Sequence, residues 1–337
     1  MGRLADIKVV SLGGGNGLST LLSGLKQVAR QSPVRYNGHS LTLRNITAVV
    51  TVSDDGGSSG RIRNSFPTPA PGDIRNCLVA LASDELLMTK LFRYRFSGAG
   101  ELRDHSLGNL LLTALTDITG DFAHAVRLSS QVLAVEGQIL PSTTENITLK
   151  AILTDGREIR GETQISKCRI PIDRISLEPA SCPPLSETLD AIARADIITI
   201  GPGSLFTSLI PNLLVPGVVE AIERAAALKL YICNLMTQPG ETNDFSASQH
   251  VEAIARHTGR PNLFRHVLLN SQPISEQMVQ HYRDDGAGPV ENDTDSLREM
   301  GLSVHDKQLA YEGRAVRHDS VKLAEAVLEI FDKETRQ

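Results

Sequence analysis

The sequence lacks the features that mark several classes of protein. Its 337 residues include four cysteines and no tryptophan, and no two cysteines form a C-x-x-C pair. Neither a zinc site nor a disulfide framework is therefore predicted, and a reducing cytoplasm is the expected setting. No apolar run approaches the ~20 residues that span a bilayer, and the first residues, MGRLADIKVV, contain no stretch of signal-peptide length. We expect a soluble, cytoplasmic protein without a membrane partner.

Concentrated positive charge is also missing. The formal net charge is −5, and lysines and arginines form no basic run. Because binding to nucleic acids requires concentrated positive charge that displaces counterions, no nucleic-acid partner is expected. The nine histidines show neither H-x-x-x-H nor H-E-x-x-H spacing, so a metalloprotease is not indicated. His105 and His318 are interpreted as structural or solvent-facing.

Strand and helix patterns alternate along most of the chain. Short, nearly continuous apolar runs predict strands buried between helices, over 7–12, 46–52, 197–200, 229–235 and 265–270. Amphipathic patterns predict helices between them, over 18–31, 186–195, 217–228 and 244–258. This alternation indicates an α/β fold with a Rossmann-like, doubly wound and mainly parallel sheet. Ligands of such sheets bind beyond the carboxyl ends of the strands.

The middle of the chain departs from this alternation. Further helical patterns are followed by NITLKAILTDGREIRGETQI, in which two alternating runs flank Asp155-Gly156. This pattern predicts a β-hairpin and a small antiparallel excursion. We therefore predict a single α/β domain over 3–331, with extra helices and the hairpin inserted at about 84–180. Asp319 is the predicted N-cap of a final helix.

The first predicted strand runs into the glycine-rich loop GGGNGLST. Glycines at 13, 14, 15 and 17 allow backbone N–H groups to approach a ligand, and the positive end of the next helix lies there. This loop predicts a phosphate site. It is not a dinucleotide fingerprint, because Leu18 and Thr20 occupy the positions where glycine is required, and it has no P-loop lysine. A glycine-rich turn without a ligand is the alternative.

The second predicted strand ends in TVSDDGGSSGRIR. Asp54 and Asp55 are placed to accept ribose hydroxyls or to hold Mg²⁺ together with phosphate oxygens. The following glycines and serines predict a nest of amides, and Arg61 or Arg63 could balance a diphosphate. The alternative is that the two aspartates cap a turn and pair with the arginines.

Four further loops carry polar residues after predicted strands or at helix starts. GPGSLF predicts a second anion site at a helix N-terminus, whereas PGDIRN, NLMTQPGET and DHSLGN could equally cap turns or bond within the core. Tyr282 and Arg317 are interpreted as the uracil or sugar side of the cleft, by stacking and phosphate contact. Ser320, in the first turn of the last helix, is a predicted phosphorylation site.

The predicted ligand-binding residues share these loops and helix starts: Gly13, Gly14, Gly15, Asn16, Gly17, Asp54, Asp55, Ser58, Ser59, Arg61, Asp73, Asn76, Asn109, Gly201, Gly203, Ser204, Asn234, Thr237, Tyr282 and Arg317. No nucleophile with an adjacent acid or base is evident among them, so binding is favoured over catalysis.

These motifs, from SLGGGNGLSTLLSGLK to CNLMTQPGETNDFSASQHV, closely resemble the YvcK-type gluconeogenesis factor family. That family shares a superfamily with the CofD-like 2-phospho-L-lactate transferases of coenzyme F420 synthesis, which lack the long DDGGSSGR element. Ser53 stands where the family pattern has alanine.

The resemblance implies a bacterial cytoplasmic protein that binds UDP-N-acetylglucosamine or a similar UDP-sugar. It further implies a regulatory role in cell shape and wall synthesis on gluconeogenic carbon sources. Cell-wall synthesis proteins, a Ser/Thr kinase and a second copy of the chain are the candidate partners. A Mg²⁺-dependent 2-phospho-L-lactate-type transferase is the alternative, and an NAD-dependent dehydrogenase is a third hypothesis that the failed fingerprint disfavours.

Overall fold

The computed structural model describes residues 5–36, 39–83 and 86–335. The strands are β1 Ala5–Gly13, β2 Val34–Tyr36, β3 His39–Val50, β4 Gln138–Pro141, β5 Thr148–Leu153, β6 Glu158–Arg160, β7 Ile172–Glu178, β8 Ile197–Ile200, β9 Leu228–Ile232, β10 His266–Asn270, β11 Ser303–Lys307, β12 Ala310–Glu312 and β13 Val316–His318.

The helices are α1 Gly15–Arg30, α2 Gly57–Ser65, α3 Gly72–Leu81, α4 Leu86–Arg93, α5 Leu107–Thr119, α6 Phe122–Val132, α7 Glu162–Lys167, α8 Ser186–Ala193, α9 Ile210–Leu214, α10 Val218–Arg224, α11 Ala247–Thr258, α12 Glu276–Asp284, α13 Thr294–Glu299 and α14 Ser320–Glu334. A π-helical segment, Leu205–Leu209, leads directly into α9.

The main sheet is doubly wound, as predicted. In the described residues its parallel strands run in the order β11, β10, β9, β8, β1, β3, β4, and β2 adds antiparallel to β3. From β1 the chain continues outward to β3 and β4, whereas β8 to β11 extend in the other direction. The order therefore reverses between β1 and β8, and the crevice at their carboxyl ends is the topological switch point.

Helices cover both faces of this sheet. Residues Val9 to Gly13 of β1 are buried consecutively, and so are the four residues of β8. Because successive side chains of a strand point to opposite faces, unbroken burial requires cover on each side. One continuous cluster of buried apolar residues extends from Ile7 to Ile330.

Helix α1 is the element that connects the first glycine loop to the last helix. The buried apolar side chains of α1 lie on one helical face, which packs against α3 and α14. They are Leu18, Leu21, Leu22, Leu25 and Val28. A methyl group at Gly24 would overlap the carbonyl oxygen of Ser320, so the backbones of α1 and α14 are in direct contact. Asp319 caps α14 as predicted, accepting from the backbone N–H groups of Val321 and Lys322.

The predicted antiparallel excursion in the middle of the chain differs from the observed structure in three respects. The β5–β6 hairpin forms around Asp155-Gly156, but β7 adds to β5 as a third antiparallel strand. The sequence GETQI forms α7 and not a strand, because Gly161 has φ +89° and ends the extended run. The predicted insertion at about 84–180 is also divided by β4, which belongs to the main sheet.

Among the helices within the described ranges, none is by itself long and apolar enough to cross a membrane. One bent pair, Leu205–Leu214 and Val218–Arg224 at 78°, satisfies the length and composition criteria only when its two helices are taken together.

Candidate functional site

A cleft of about 400 Å³ opens at the carboxyl ends of β1 and β8, and we call it the switch-point cleft. The predicted site residues that line it are Gly14, Gly15, Asn16, Gly17, Asp73, Gly203, Ser204, Asn234, Thr237, Tyr282 and Arg317. The structure thus brings residues from four separate predicted loops and the C-terminal region to one cavity. Gly13 and Gly201 are buried where β1 ends and just after β8, and they are not part of the lining.

The two glycine loops touch each other across the switch point. A side chain at Gly17 would overlap the carbonyl oxygen of Pro202, so the first turn of α1 approaches the second loop as closely as backbone atoms allow. The amide of Asn212 donates to the Gly13 carbonyl at 2.8 Å and fixes the first loop to α9. The N-cap of α1 is a glycine, so no side chain at that position caps the positive helix end that faces the cleft, although the Asp73 carboxylate accepts from the Gly15 N–H.

The second helix N-terminus is partly occupied by a buried carboxylate. One oxygen of Glu241 accepts from the Phe206 N–H at 3.3 Å, and the other accepts from the Thr207 hydroxyl at 3.2 Å. Burial raises the pKa of Glu241 to about 7, although these hydrogen bonds oppose the shift. The Ser204 hydroxyl accepts from the Gln238 amide at 2.9 Å. The second loop therefore offers an anion fewer free donors than its sequence suggests.

Two acids, Asp73 and Glu162, line the cleft, and Asp54 is outside the lining but close enough to affect the pKa of both. Burial, and then the neighbouring Asp54, raises the pKa of Asp73 to about 7, while the Gly15 N–H bond opposes the shift. Burial raises the pKa of Glu162 to about 10, with Asp73 and Asp54 as the next causes. The cleft consequently carries less negative charge at neutral pH than two ionised carboxylates would give it.

Carboxylate oxygens at this position are hard ligands that suit Mg²⁺. Within the described residues, however, these acids do not form a group of three whose ligand atoms lie within 4.8 Å of one another. A cation held here by Asp54, Asp73 and Glu162 would therefore need further oxygens, such as those of a bound phosphate.

The two adjacent aspartates have different surroundings. One oxygen of Asp54 accepts from the Gly56 N–H at 2.8 Å, and the other lies 2.5 Å from where a methyl group at Gly72 would be. Asp55 accepts from both the backbone N–H of Thr163, at 2.7 Å, and its hydroxyl, at 2.6 Å. Asp55 thus caps the N-terminus of α7 from another segment and does not line the cleft.

The predicted amide nest is instead helix α2, whose serines are buried. Ser58 lies 3.2 Å from His105 Nδ1 and accepts from the Ser106 N–H at 3.2 Å. Although 56–60 reads G-x-S-x-G, Ser58 is only 3% exposed, so this pair holds α2 against the segment before α5. Ser59 accepts from the Asn109 amide at 3.5 Å, and both residues lie outside the cleft lining.

The arginines of α2 bind backbone carbonyls. Arg61 donates to the carbonyls of Glu101 and Arg103, at 3.4 and 2.6 Å. Arg63 donates to those of Ser53 and Ile147, at 3.1 and 2.5 Å, and burial lowers the pKa of its guanidinium. Both side chains therefore tie α2 to its neighbours, and neither reaches the cleft.

A second cavity, of about 360 Å³, adjoins the switch-point cleft and shares Asn16, Thr20 and Arg317 with it. Asn76 lines this second cavity, and its side-chain oxygen accepts from Arg75 at 2.6 Å. Asn76 is therefore near the predicted ligand but outside the main cleft. The guanidinium of the exposed Arg317 makes no hydrogen bond or ion pair with another described residue, so it is available to a ligand in either of the cavities that Arg317 lines.

The C-terminal contribution to the cleft includes a residue interpreted above as structural or solvent-facing. His318 lines the cleft beside Arg317, and its Nε2 atom is buried without a partner among the described residues. Burial lowers the pKa of His318 to about 4, so its imidazole is neutral. The hydroxyl of Tyr282 accepts from the Val316 N–H at 3.0 Å, which positions its ring at the cleft wall. Ser320 is half-buried at the start of α14.

Sequence reasoning missed Glu162, Gln238, Ser208 and His318 as lining residues. Glu162 lay in a segment predicted as a strand, and only the Gly161-Glu162 pair resembles a helix start. His318 lies on β13, a three-residue strand too short to give a periodic signal.

Comparison with known proteins identifies the family. Residues 9–310 match the family model described as 2-phospho-L-lactate transferase CofD. The gluconeogenesis factor of Bacillus subtilis strain 168 is 46% identical over 96% of this chain and 98% of its own length. A crystal structure of a Bacillus halodurans protein has a TM-score of 0.89 and 44% identity, covering 96% of this chain and all of that one. A second structure from that organism, described as a UPF0052 family member, has a TM-score of 0.89, 45% identity and coverage of 97% and 100%. The chain therefore belongs to the CofD family and, within it, to the gluconeogenesis factors.

Proposed function

We propose that this chain binds a nucleotide sugar of the UDP-N-acetylglucosamine type in the switch-point cleft. The observation that carries the proposal is the contact between the Gly13–Gly17 loop and the Gly201–Ser204 loop at the point where the strand order reverses. A diphosphate suits this place, because the positive end of α1 and the neighbouring backbone amides stabilise anions.

The remaining lining residues suit the two ends of such a ligand. Arg317 and the Tyr282 ring lie on the C-terminal wall, where they can pair with a phosphate and stack on a base. Asn234, Thr237 and Gln238 supply amide and hydroxyl groups that suit the hydroxyls of a sugar. We assign the diphosphate of the ligand to the N-terminus of α1. Either the base or the sugar is assigned to the C-terminal wall, and the opposite end of the ligand to the loop after β9.

The role that we propose is regulatory. A cytoplasmic sensor of this kind would report the level of a wall precursor and so adjust cell shape and wall synthesis on gluconeogenic carbon sources. Cell-wall synthesis proteins are its proposed partners. The name gluconeogenesis factor, carried by relatives that match over nearly their full length, supports the link to gluconeogenic carbon sources.

Isothermal titration with UDP-N-acetylglucosamine, GDP and NAD tests the ligand class. We expect saturable binding of the UDP-sugar and at least tenfold weaker binding of NAD, since the dinucleotide fingerprint is missing. Equal affinity for all three ligands, or binding of NAD alone, would contradict the proposal.

Substitution of Arg317 tests the C-terminal wall. Arg317→Ala should weaken UDP-N-acetylglucosamine binding by about tenfold or more, because it removes a charge-assisted hydrogen bond to phosphate. Arg314→Ala is the matched control, since Arg314 is exposed in the same segment but does not line the cleft. Equal affinities of the two variants would remove Arg317 from the site.

A Mg²⁺-dependent 2-phospho-L-lactate-type transferase is the second candidate function. The acids Asp54, Asp73 and Glu162 beside the anion site favour it, as does the family-model match over 9–310. Phosphorus NMR of UDP-N-acetylglucosamine and of a GDP-linked lactate, each incubated with the protein, Mg²⁺ and an alcohol acceptor of the kind used in coenzyme F420 synthesis, separates the two functions. Unchanged diphosphate signals support a binding protein, whereas release of a nucleoside monophosphate supports the transferase.

Phosphorylation of Ser320 is a further part of the regulatory proposal. The residue follows the N-cap of α14, where a phosphate would meet the positive helix end, and Arg317 is three positions earlier. Its backbone also contacts α1, the helix that carries the phosphate loop. Intact-mass analysis after treatment with a bacterial Ser/Thr kinase tests this assignment, with Ser320→Ala as the control. Equal phosphate incorporation in both proteins would rule it out.

A further inference from the structure

Two histidines and a glutamate from distant parts of the chain meet at the edge of the main sheet. His266 begins β10 and His305 lies on the neighbouring parallel strand β11, while Glu334 is the last residue of α14. One ligand atom from each of the three lies within 4.8 Å of the other two. We call this group the edge cluster.

The spacing of the two imidazoles matches that of metal ligands. His266 Nδ1 and His305 Nε2 are 3.1 Å apart, and the rings are tilted by 33° with centroids 5.4 Å apart. Two nitrogens bound to one Zn²⁺ at 2.0–2.1 Å with tetrahedral angles lie about 3.3 Å apart. A small adjustment would therefore place one ion between both nitrogens, with the carboxylate as a third ligand.

Burial and nearby charges both bear on the edge cluster. Both histidines are half-buried, so solvent covers only part of each imidazole. The neighbouring cations Arg265, Lys307 and Lys333 oppose metal binding. Lys307, however, is paired with Glu329 at 2.7 Å, and Glu334 supplies the negative charge within the cluster.

We propose that the edge cluster binds one divalent transition-metal ion of the Zn²⁺ class, with His266, His305 and Glu334 as its protein ligands. Two imidazoles and one carboxylate are a donor set that suits Zn²⁺, Co²⁺ or Ni²⁺ better than Mg²⁺ or Ca²⁺. The bound ion joins the C-terminal end of α14 to strands β10 and β11.

The proposed metal site is separate from the switch-point cleft. Ser320 and Glu334 are at opposite ends of α14, about 21 Å apart along the helix axis. The N-terminus of α14 directly follows the cleft residues Arg317 and His318, whereas the ion would anchor the C-terminus of the same helix. The inference does not depend on what the cleft binds.

Titration with Co²⁺ and Zn²⁺ tests the proposal. The full chain is prepared without a polyhistidine tag, treated with EDTA and dialysed, and Co²⁺ binding is followed by its visible absorption. We expect one equivalent of Co²⁺ to bind and to be displaced by Zn²⁺, and we expect Zn²⁺ to raise the melting temperature. His305→Ala should weaken binding by at least tenfold, and Glu334→Gln should weaken it while preserving the shape of the residue.

His124→Ala is the matched control, because His124 is exposed on α6, away from the edge cluster. Melting temperatures measured in EDTA show whether each variant is folded before metal is added. Absence of saturable binding to the wild-type chain, or equal binding by the folded His305 and His124 variants, would overturn the proposal and leave the cluster as a hydrogen-bonded histidine pair.

Discussion

At the residue scale, three carboxyl groups in or behind the cleft lie in surroundings that favour their protonated forms. Asp73 and Glu241 have pKa values raised to about 7, and Glu162 has a pKa raised to about 10, in each case chiefly by burial. A phosphate entering the cleft therefore meets acids that can stay neutral, whereas a bound cation would favour their ionised forms. The charge of the cleft is coupled to what occupies it.

Asp73→Asn tests this arrangement through stability. Because the pKa of Asp73 is about 7 when folded and 3.8 for a free carboxyl, the folded state retains a proton that the unfolded state releases. The contribution of Asp73 to wild-type stability should consequently fall as pH rises from about 4 to about 7, and it should remain reduced above that. The variant lacks this loss, so we expect its melting temperature at pH 8 to exceed that of the wild type by at least about 3 °C.

The matched control is Asp117→Asn, which removes the same charge from an exposed site on α5. Melting curves of all three proteins at pH 4, 6 and 8 provide the measurement. A constant difference between Asp73→Asn and the wild type across this range would show that Asp73 is ionised throughout.

Residue types and their spacing were sufficient to predict the glycine loop at 13–17 and the polar residues Asn234, Thr237 and Arg317. All of these residues except Gly13 line the switch-point cleft, and Asn16 and Arg317 also line the second cavity. The protonation of Asp73 and Glu162 could not be predicted in this way, because it arises from burial and from acids that come together only in the fold. Ligand contacts of these residues stay a prediction.

At the element scale, the helices with clear periodicity were predicted, and so were the short apolar strand β8 and the β5–β6 hairpin, whereas the short helix α7 was not. Helices α1, α11 and α14 each have a long apolar face, and two of them begin at a side-chain cap. Helix α7 has six residues, and its start is stabilised by Asp55, which lies 108 positions away from Thr163. A local pattern cannot contain that information, so the aspartate was interpreted as a ligand residue.

Asp55→Ala should therefore lower stability and leave ligand affinity nearly unchanged. Loss of a capping carboxylate costs about 1–2 kcal/mol in the free energy of unfolding. Urea unfolding of Asp55→Ala, Thr163→Ala and the double variant measures the coupling, and we expect the two losses to be non-additive by at least about 0.5 kcal/mol. Unchanged stability together with weakened UDP-N-acetylglucosamine binding would instead restore Asp55 as a ligand residue.

At the scale of the whole molecule, the strand order determines where the site lies. The alternation of strands and helices predicted the doubly wound sheet, but the neighbours of each strand were not evident from sequence, and β4, β11 and the β12–β13 pair were not foreseen. Placing β1 beside β8 brings together loops about 190 residues apart, as the hydrogen bond from Asn212 to Gly13 illustrates with its separation of 199. The C-terminal segment then closes the cleft with Arg317 and His318 before α14 packs on α1.

A crystal structure of the chain with UDP-N-acetylglucosamine would show where the nucleotide sugar binds. We expect electron density for the diphosphate between the first turn of α1, at Gly15–Gly17, and the Gly203-Ser204 loop, with Arg317 beside a phosphate. Density for the nucleotide sugar at any other place on the molecule, with the switch-point cleft empty, would contradict this expectation.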